Sequence, residues 1–120
     1  MKKIVFDITY ENILVFDLKD FLRLFICKKY SLNYFEWRLY RIEFLKENNS
    51  QFKEDYSSNP KSHTFGQIYD FANDILQCID IELTGRYNNY TYKFNCFDST
   101  LWEIETNDDE FIDVLIKITL

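Results

Sequence analysis

Residues 80–97 form the segment that most restricts how this 120-residue chain can fold. Asn88-Asn89 separates two alternating runs, and asparagine tolerates the positive φ of a tight two-residue turn. Pairing across this turn sorts the side chains into an apolar and a polar face, which supports the register. The register pairs Tyr87 with Tyr90, Gly85 with Tyr92, Leu83 with Phe94 and Ile81 with Cys96 on the apolar face, and Arg86 with Thr91, Thr84 with Lys93 and Glu82 with Asn95 on the polar face. Gly85 would leave room for the Tyr92 ring to lie across the sheet.

A further strand is predicted at 101–106, where Trp102 and Ile104 alternate with acidic residues. It completes a meander over about 80–106. Asn107 then caps a short helix over about 107–118, because acidic residues in the first turn favour a helix N-terminus. The tail 114–120 also alternates, so the pattern leaves open whether it is helix or strand.

Two earlier segments have the spacing of amphipathic helices. Thr64 and Gln67 have the capping-box form, and the apolar stripe that follows predicts a helix over about 64–79. Asp17 is a candidate N-cap, and apolar residues at helical spacing after it predict a helix over about 17–29. Lys28 and Lys29 lie near the C-terminus of the helix predicted over 17–29, where positive charge interacts favourably with the helix dipole.

Residues 35–45 fit a strand with one slip better than a helix, because their apolar positions scatter around a helical wheel. A bulge near Leu39-Tyr40 would place six apolar side chains on one face, those of Phe35, Trp37, Leu39, Tyr40, Ile42 and Phe44. The other face would then hold Glu36, Arg38, Arg41 and Glu43. Whether this segment is a bulged strand or a helix stays open at this point.

The remaining chain predicts strands and a loop. Residues 3–10 alternate and predict an N-terminal strand, and residues 13–16 could form a second one. Residues 48–63 are polar, hold the only proline and show little periodicity, so they predict a long exposed loop. A short helical turn around Phe52 and Tyr56 could lie within it.

These elements predict an α+β fold, with a single domain over 1–120 in which two or three helices pack on a mainly antiparallel sheet. Apolar residues make up 47% of the chain and aromatic residues 19%, which excludes a disordered protein. No apolar run reaches the roughly 18 residues of a membrane span. Asp7 and Glu11 interrupt the apolar run that a signal peptide would need near the start of the chain. We therefore expect a cytoplasmic protein without membrane contact.

The formal net charge of −6 is distributed unevenly along the chain. Residues 1–60 carry 10 basic and 9 acidic side chains, whereas residues 61–120 carry 4 basic and 11 acidic ones. Such a balance disfavours direct binding to nucleic acid, because phosphates repel the carboxylates. It favours encounter with a basic protein partner.

No group of residues in the sequence has the pattern of a catalytic or metal site. The single histidine, His63, lies in the polar segment, and the three cysteines at 27, 78 and 96 show no CxxC spacing. Two glycines far apart cannot form a phosphate-binding loop. We therefore predict no enzymatic activity, no metal and no cofactor, and buried free thiols at Cys78 and the other cysteines.

Acidic and tyrosine side chains are the best candidates for a binding surface. A docking surface of carboxylates raises the association rate with a cationic partner, and tyrosine is a favoured interface anchor. The predicted partner-binding residues are Asp70, Asp74, Glu82, Tyr87, Tyr90, Glu103, Glu105, Asp108, Asp109, Glu110 and Asp113. The alternatives are a solvated acidic surface and ordinary cross-strand pairing of the tyrosines.

A small, acidic, single-domain chain with an aromatic core and no catalytic set resembles bacterial immunity proteins of the contact-dependent or polymorphic toxin type. The resemblance concerns overall character and transfers no functional residue. It implies a cytoplasmic inhibitor whose partner is a basic cognate toxin domain, for example a nuclease. The alternatives are a phage-type anti-defence protein that mimics nucleic-acid charge, a small adaptor or structural domain, and a small enzyme that uses His63 or a pair of carboxylates.

Overall fold

A computed structural model of the chain describes residues 1–7, 9–10, 13–14, 17–27, 32–46, 48, 50–98 and 100–119. Its α-helices and strands in chain order are β1 (Lys2–Asp7), β2 (Thr9–Tyr10), β3 (Ile13–Leu14), α1 (Leu18–Cys27), β4 (Glu36–Lys46), β5 (Gln51–Asp55), β6 (Lys61–His63), α2 (Phe65–Asn73), β7 (Ile75–Tyr87), β8 (Tyr90–Phe97), β9 (Leu101–Thr106) and α3 (Asp109–Thr119). A short 3₁₀ helix, Leu32–Tyr34, precedes β4. Lys28, Lys29 and Leu120, at the ends of two predicted segments, lie outside the described residues.

Seven strands form one antiparallel sheet in the order β1-β9-β8-β7-β4-β5, with β6 paired to β4 beyond the end of β5. The short strands β2 and β3 pair with each other. Together with the three helices this arrangement confirms the α+β prediction. Strands β7, β8 and β9 are the predicted meander, and the register between β7 and β8 is the predicted one at all seven pairs. The turn residue Asn88 has a φ of 53°, as a tight two-residue turn requires.

All three helices pack on the same face of the sheet. Phe25 of α1 meets Trp37 of β4 and Tyr92 of β8 edge to face, with ring centroids 5.6 and 4.9 Å apart, and it stacks on Phe111 of α3. Phe65 of α2 lies 6.2 Å from Trp37. These side chains form a single aromatic core between the helices and the sheet, and no helix of the described residues lies on the other face of the sheet.

The segment predicted over 35–45 is a bulged strand, β4 (Glu36–Lys46), which settles the choice left open by the sequence. The pairing of β4 with β7 slips between Leu39 and Arg41, so Tyr40 is the extra residue. Its carbonyl accepts a hydrogen bond from the Tyr56 N–H at 2.6 Å. The predicted apolar face was wrong at one position, because half-buried Tyr40 lies with Arg38 on the opposite face.

Gly85 makes room for a different ring from the predicted one. A Cβ at Gly85 would come within 2.6–2.7 Å of three ring atoms of Trp37, which lies opposite it on β4. Tyr92, opposite Gly85 on β8, is fully buried beside Phe111. The prediction lacked the neighbour on the β4 side, because the alternation of a strand does not identify the strand next to it.

The helix predicted over 64–79 ends earlier than expected, and its last part is the start of β7. The predicted capping box is present, with Gln67 N–H donating to the Thr64 hydroxyl at 3.2 Å and Thr64 N–H to the Gln67 side chain at 3.0 Å. The buried residues Ile75 and Cys78 belong to β7, where two register shifts against β4 produce a spacing of three residues. That spacing also fits a helix, which explains the error.

The long loop predicted over 48–63 was wrong, since this segment contains the strands β5 and β6. Both strands pair with β4, with Phe52 opposite Phe44 and His63 opposite Trp37. Four of the five residues of β5 are exposed, so the strand shows almost no apolar pattern. An edge strand of this kind is held by backbone pairing more than by burial.

None of the helices in the described part of the chain has the length and apolar character that a membrane crossing requires.

Candidate functional site

The sheet face opposite the helices, which we call the open face, carries no helix among the described residues. Its side chains are the half-buried or exposed members of each alternating strand. Register places Lys3, Glu105, Lys93, Thr84 and Arg38 in one row across five strands. A surface of polar side chains on a rigid sheet can hold a partner without disturbing the core below.

Ion pairs on and beside this sheet join the two halves of the chain. Arg41 contacts Asp80 and Glu82, with N–O distances of 2.6 and 2.5 Å, and Lys3 lies 3.1 Å from Glu103. Each of these pairs joins a base of the first half to an acid of the second, because β4 lies beside β7 and β1 beside β9. The charge asymmetry along the sequence is therefore partly cancelled in space.

Arg41 organises the carboxylates at the end of the open face away from the β7–β8 turn. The hydrogen bond to Asp80 is the main reason that the pKa of Arg41 is raised, with smaller contributions from the charges of Asp80 and Glu82, while burial opposes them. Glu43 and Asp55 lie beside it and line the same cavity of about 240 Å³. We call Glu43, Asp55, Asp80 and Glu82 the carboxylate cluster.

The end of the open face near the β7–β8 turn has the opposite charge. Arg38, Arg86 and Lys93 line a cleft of about 340 Å³ together with one acidic residue, Glu36. Glu36 accepts hydrogen bonds from Arg38 at 3.0 Å. The predicted faces of β4 and of the β7–β8 hairpin each placed these cations among the polar side chains, but nothing in the sequence showed that the two segments lie side by side.

The predicted partner-binding residues do not form one patch. Glu82, Glu103 and Glu105 are on the open face, whereas the exposed Asp70 and Asp74 belong to α2 and its C-cap in the helical layer. The first half of α3 carries a third group, in which Asp109, Glu110 and Asp113 are exposed. Asp109 lies 3.2 Å from Lys2.

Asp108 has a structural position that the sequence did not indicate. Its side chain is only 3% exposed and caps α3 by accepting the Phe111 N–H at 3.2 Å, so Asp108 takes the capping role predicted for Asn107. The buried Tyr92 hydroxyl donates a hydrogen bond to the same carboxylate. Asn107 instead accepts the Thr91 N–H and donates to the Asn89 carbonyl, each at 2.8 Å.

The two tyrosines predicted as interface anchors differ in exposure. Tyr87 is half-buried and stacks on Phe35 with ring centroids 4.8 Å apart. Tyr90 is 39% exposed at the start of β8. Cross-strand and core packing therefore accounts for Tyr87, and Tyr90 has a ring that a partner can reach.

His63 lies away from the open-face clusters. It lines a mainly apolar cavity of about 210 Å³ between β4, β5 and the end of α2, with Phe52 and Phe71 among its walls. The Nδ1 atom of His63 is 3.2 Å from the Lys61 carbonyl oxygen. The sequence placed His63 in a loop and gave no sign of this cavity.

Cys78 and Cys96 are buried thiols on neighbouring strands. Burial, and then a hydrogen bond with Cys96, raise the pKa of the Cys78 thiol. Cys96 Sγ donates to the Ile79 carbonyl at 3.5 Å. Among the described residues, no three histidine, cysteine or acidic side chains are grouped as metal ligands would be.

Comparisons of the chain with protein-family models, with curated proteins and with solved structures found no match.

Proposed function

We propose that this protein is a non-catalytic inhibitor of the immunity-protein type, which binds one protein partner through the open face of its sheet. The observation that carries the proposal is the polar sheet face across β1, β9, β8, β7 and β4, on which no helix lies in the described part of the chain. Antiparallel sheets can leave one face to solvent, and here that face combines a rigid backbone with accessible charged groups. Such a surface can occlude the active site of a partner without chemistry of its own.

The carboxylate cluster supports a basic partner. Two of its members, Asp80 and Glu82, bind Arg41 but keep about a third of their side-chain surface exposed. A carboxylate offers about four lone-pair sites, so each can accept a further hydrogen bond from a lysine or arginine of the partner. Partly exposed ion pairs of this kind contribute about 1 kcal/mol or less, so a partner can rearrange them at small cost.

The test begins with the neighbouring gene. We expect it to encode a protein with a basic C-terminal domain that stops bacterial growth when it is expressed alone. Co-expression of this chain should restore growth, and the two purified proteins should form a one-to-one complex. A neighbouring product that is harmless, or growth that stays arrested during co-expression, would contradict the proposed function.

The binding surface is tested by reversing charges on the open face of the sheet and, in a separate variant, on the helical layer. Asp80→Lys with Glu82→Lys should slow association with the basic domain about tenfold or more at low salt, because steering depends on the local field. Asp70→Lys with Asp74→Lys makes the same change of net charge in the helical layer and is the matched control. Stopped-flow kinetics measure the association rate of both double variants. Equal slowing of association in the two would rule out the carboxylate cluster as the site.

A further inference from the structure

The cationic cleft near the β7–β8 turn combines a concave shape with uncompensated positive charge. Its floor is formed where Thr84 lies between Arg38 on one neighbouring strand and Lys93 on the other. In the next row, Arg86 lies between Glu36 and Thr91. Long basic side chains beside short threonines create a depression on the open face.

The charges in this cleft do not cancel. Arg38 is paired with Glu36 at 3.0 Å, but no ion pair joins Arg86 or Lys93 to another residue in the described part of the chain. Glu105 lies opposite Lys93 in the register, but the two described side chains do not form an ion pair. Three cations and one carboxylate leave a charge of +2 in a protein whose net charge is −6.

We propose that this cleft is a binding site for the dianion of a phosphate monoester. Guanidinium groups match the geometry of phosphate oxygens and can donate two parallel hydrogen bonds, and Lys93 adds an ammonium. The hydroxyls of Thr84 and Thr91 supply further donors at the floor. A dianion would neutralise the charge of +2, which a single carboxylate would only halve.

The volume of the cleft indicates that the ligand has an organic part. About 340 Å³ exceeds the space that a phosphate group needs and falls at the lower end of small-molecule sites. Tyr40 forms one wall, because the bulge in β4 places it on the open face. Its ring offers an apolar surface for the group esterified to the phosphate. This inference is separate from the proposed inhibitor function, since it concerns the opposite end of the open face and needs no protein partner.

Phenyl phosphate is the probe, and isothermal titration at constant ionic strength measures its binding. We expect a Kd of about 1 mM or tighter for the unaltered protein. Arg38→Gln and Arg86→Gln should each weaken binding at least tenfold, whereas Arg23→Gln on α1, which removes the same charge from the helical layer, should leave the Kd within twofold. Amide chemical shifts in the unaltered protein should change first at residues 84–93, a readout that does not depend on any variant folding.

Three results would overturn the proposal. One is the absence of binding by phenyl phosphate to the unaltered protein. Another is an equal loss of affinity in all three variants, which would indicate a general effect of net charge. The third is a benzoate Kd equal to that of phenyl phosphate, since benzoate carries the same ring with a single carboxylate and would make the cleft a carboxylate site.

Discussion

Gly85 shows how one residue determines the packing of the core. The Trp37 ring fills the space where any other residue would carry its Cβ, and both positions are buried. Gly85 does not have a positive φ, so its backbone conformation does not require a glycine. The glycine at this position is therefore required by close approach of a side chain.

Replacement of Gly85 by alanine should lower the free energy of unfolding by about 1–3 kcal/mol, because the new methyl group overlaps the indole. Gly66→Ala is the matched control, since its Cβ would meet no atom nearer than 3.9 Å in the first turn of α2. That control should be neutral or stabilising by up to about 1 kcal/mol. Urea unfolding of both variants gives the comparison, and wild-type stability in Gly85→Ala would refute the account of this contact.

At the scale of elements, Asp17 joins a helix to the sheet. Its carboxylate accepts the Leu18 N–H of α1 at 2.7 Å and the Cys78 N–H of β7 at 3.1 Å. The side chain is only 3% exposed, and this burial raises its pKa to about 6, even though both hydrogen bonds act in the opposite direction. A buried carboxylate of this kind holds α1 against β7 but carries a cost when it is ionised.

The raised pKa of Asp17 predicts a specific dependence of stability on pH. The folded state holds the proton more tightly than the unfolded state, in which the pKa is near 3.8. The associated stability is therefore fully present below about pH 4 and is lost as the pH rises through about 6, a loss of about 3 kcal/mol by pH 7.

Asp17→Asn should remove this loss. The free energy of unfolding of the variant relative to wild type should rise by about 3 kcal/mol between pH 3 and pH 7. Urea titrations of both proteins at several pH values provide the measurement, and the comparison cancels the titration of all shared carboxylates. A difference between the two proteins that does not change with pH would contradict the assignment.

Local patterns predicted the elements better than they predicted the neighbours of each element. The β7–β8 register and the capping box at Thr64 depend on residues a few positions apart, and both were predicted. The pairing of β4 with β7 joins residues about 40 positions apart, such as Arg41 and Asp80, and alternation defines a face but not the strand beside it. The cationic cleft lies across that pairing, which is why the sequence supplied its residues but not the site.

At the scale of the whole molecule, the order of strands sets the electrostatic character of the surface. The sequence has an acidic second half, which holds all of the predicted partner-binding residues, and a nearly neutral first half. The sheet interleaves the halves instead, and the open face carries a carboxylate cluster at one end and a cationic cleft at the other. Net charge alone therefore does not describe what a partner or ligand would encounter.

The order of strands in the sheet also predicts how strongly the backbone amides of each strand are protected against hydrogen exchange. β7 is paired on both sides, with β4 and β8, whereas β5 is paired on one side only and is largely exposed. We expect amides of β7 to exchange hydrogen only on global unfolding and amides of β5 to exchange at least 100-fold faster on local opening, which corresponds to about 3 kcal/mol. Hydrogen exchange followed by NMR measures both, and equal protection of the two strands would contradict this order of stability.

The uncovered face has a consequence for how such a protein can change over generations. Within β4, alternate residues lie on opposite faces of the sheet. Trp37 and Leu39 are buried in the core, and Arg38 between them is exposed on the open face. Under the proposed function, substitutions at the outward positions would alter what the surface recognises and leave folding nearly untouched. A lineage of such inhibitors would then exchange one binding specificity for another by single mutations, without passing through unfolded ancestors.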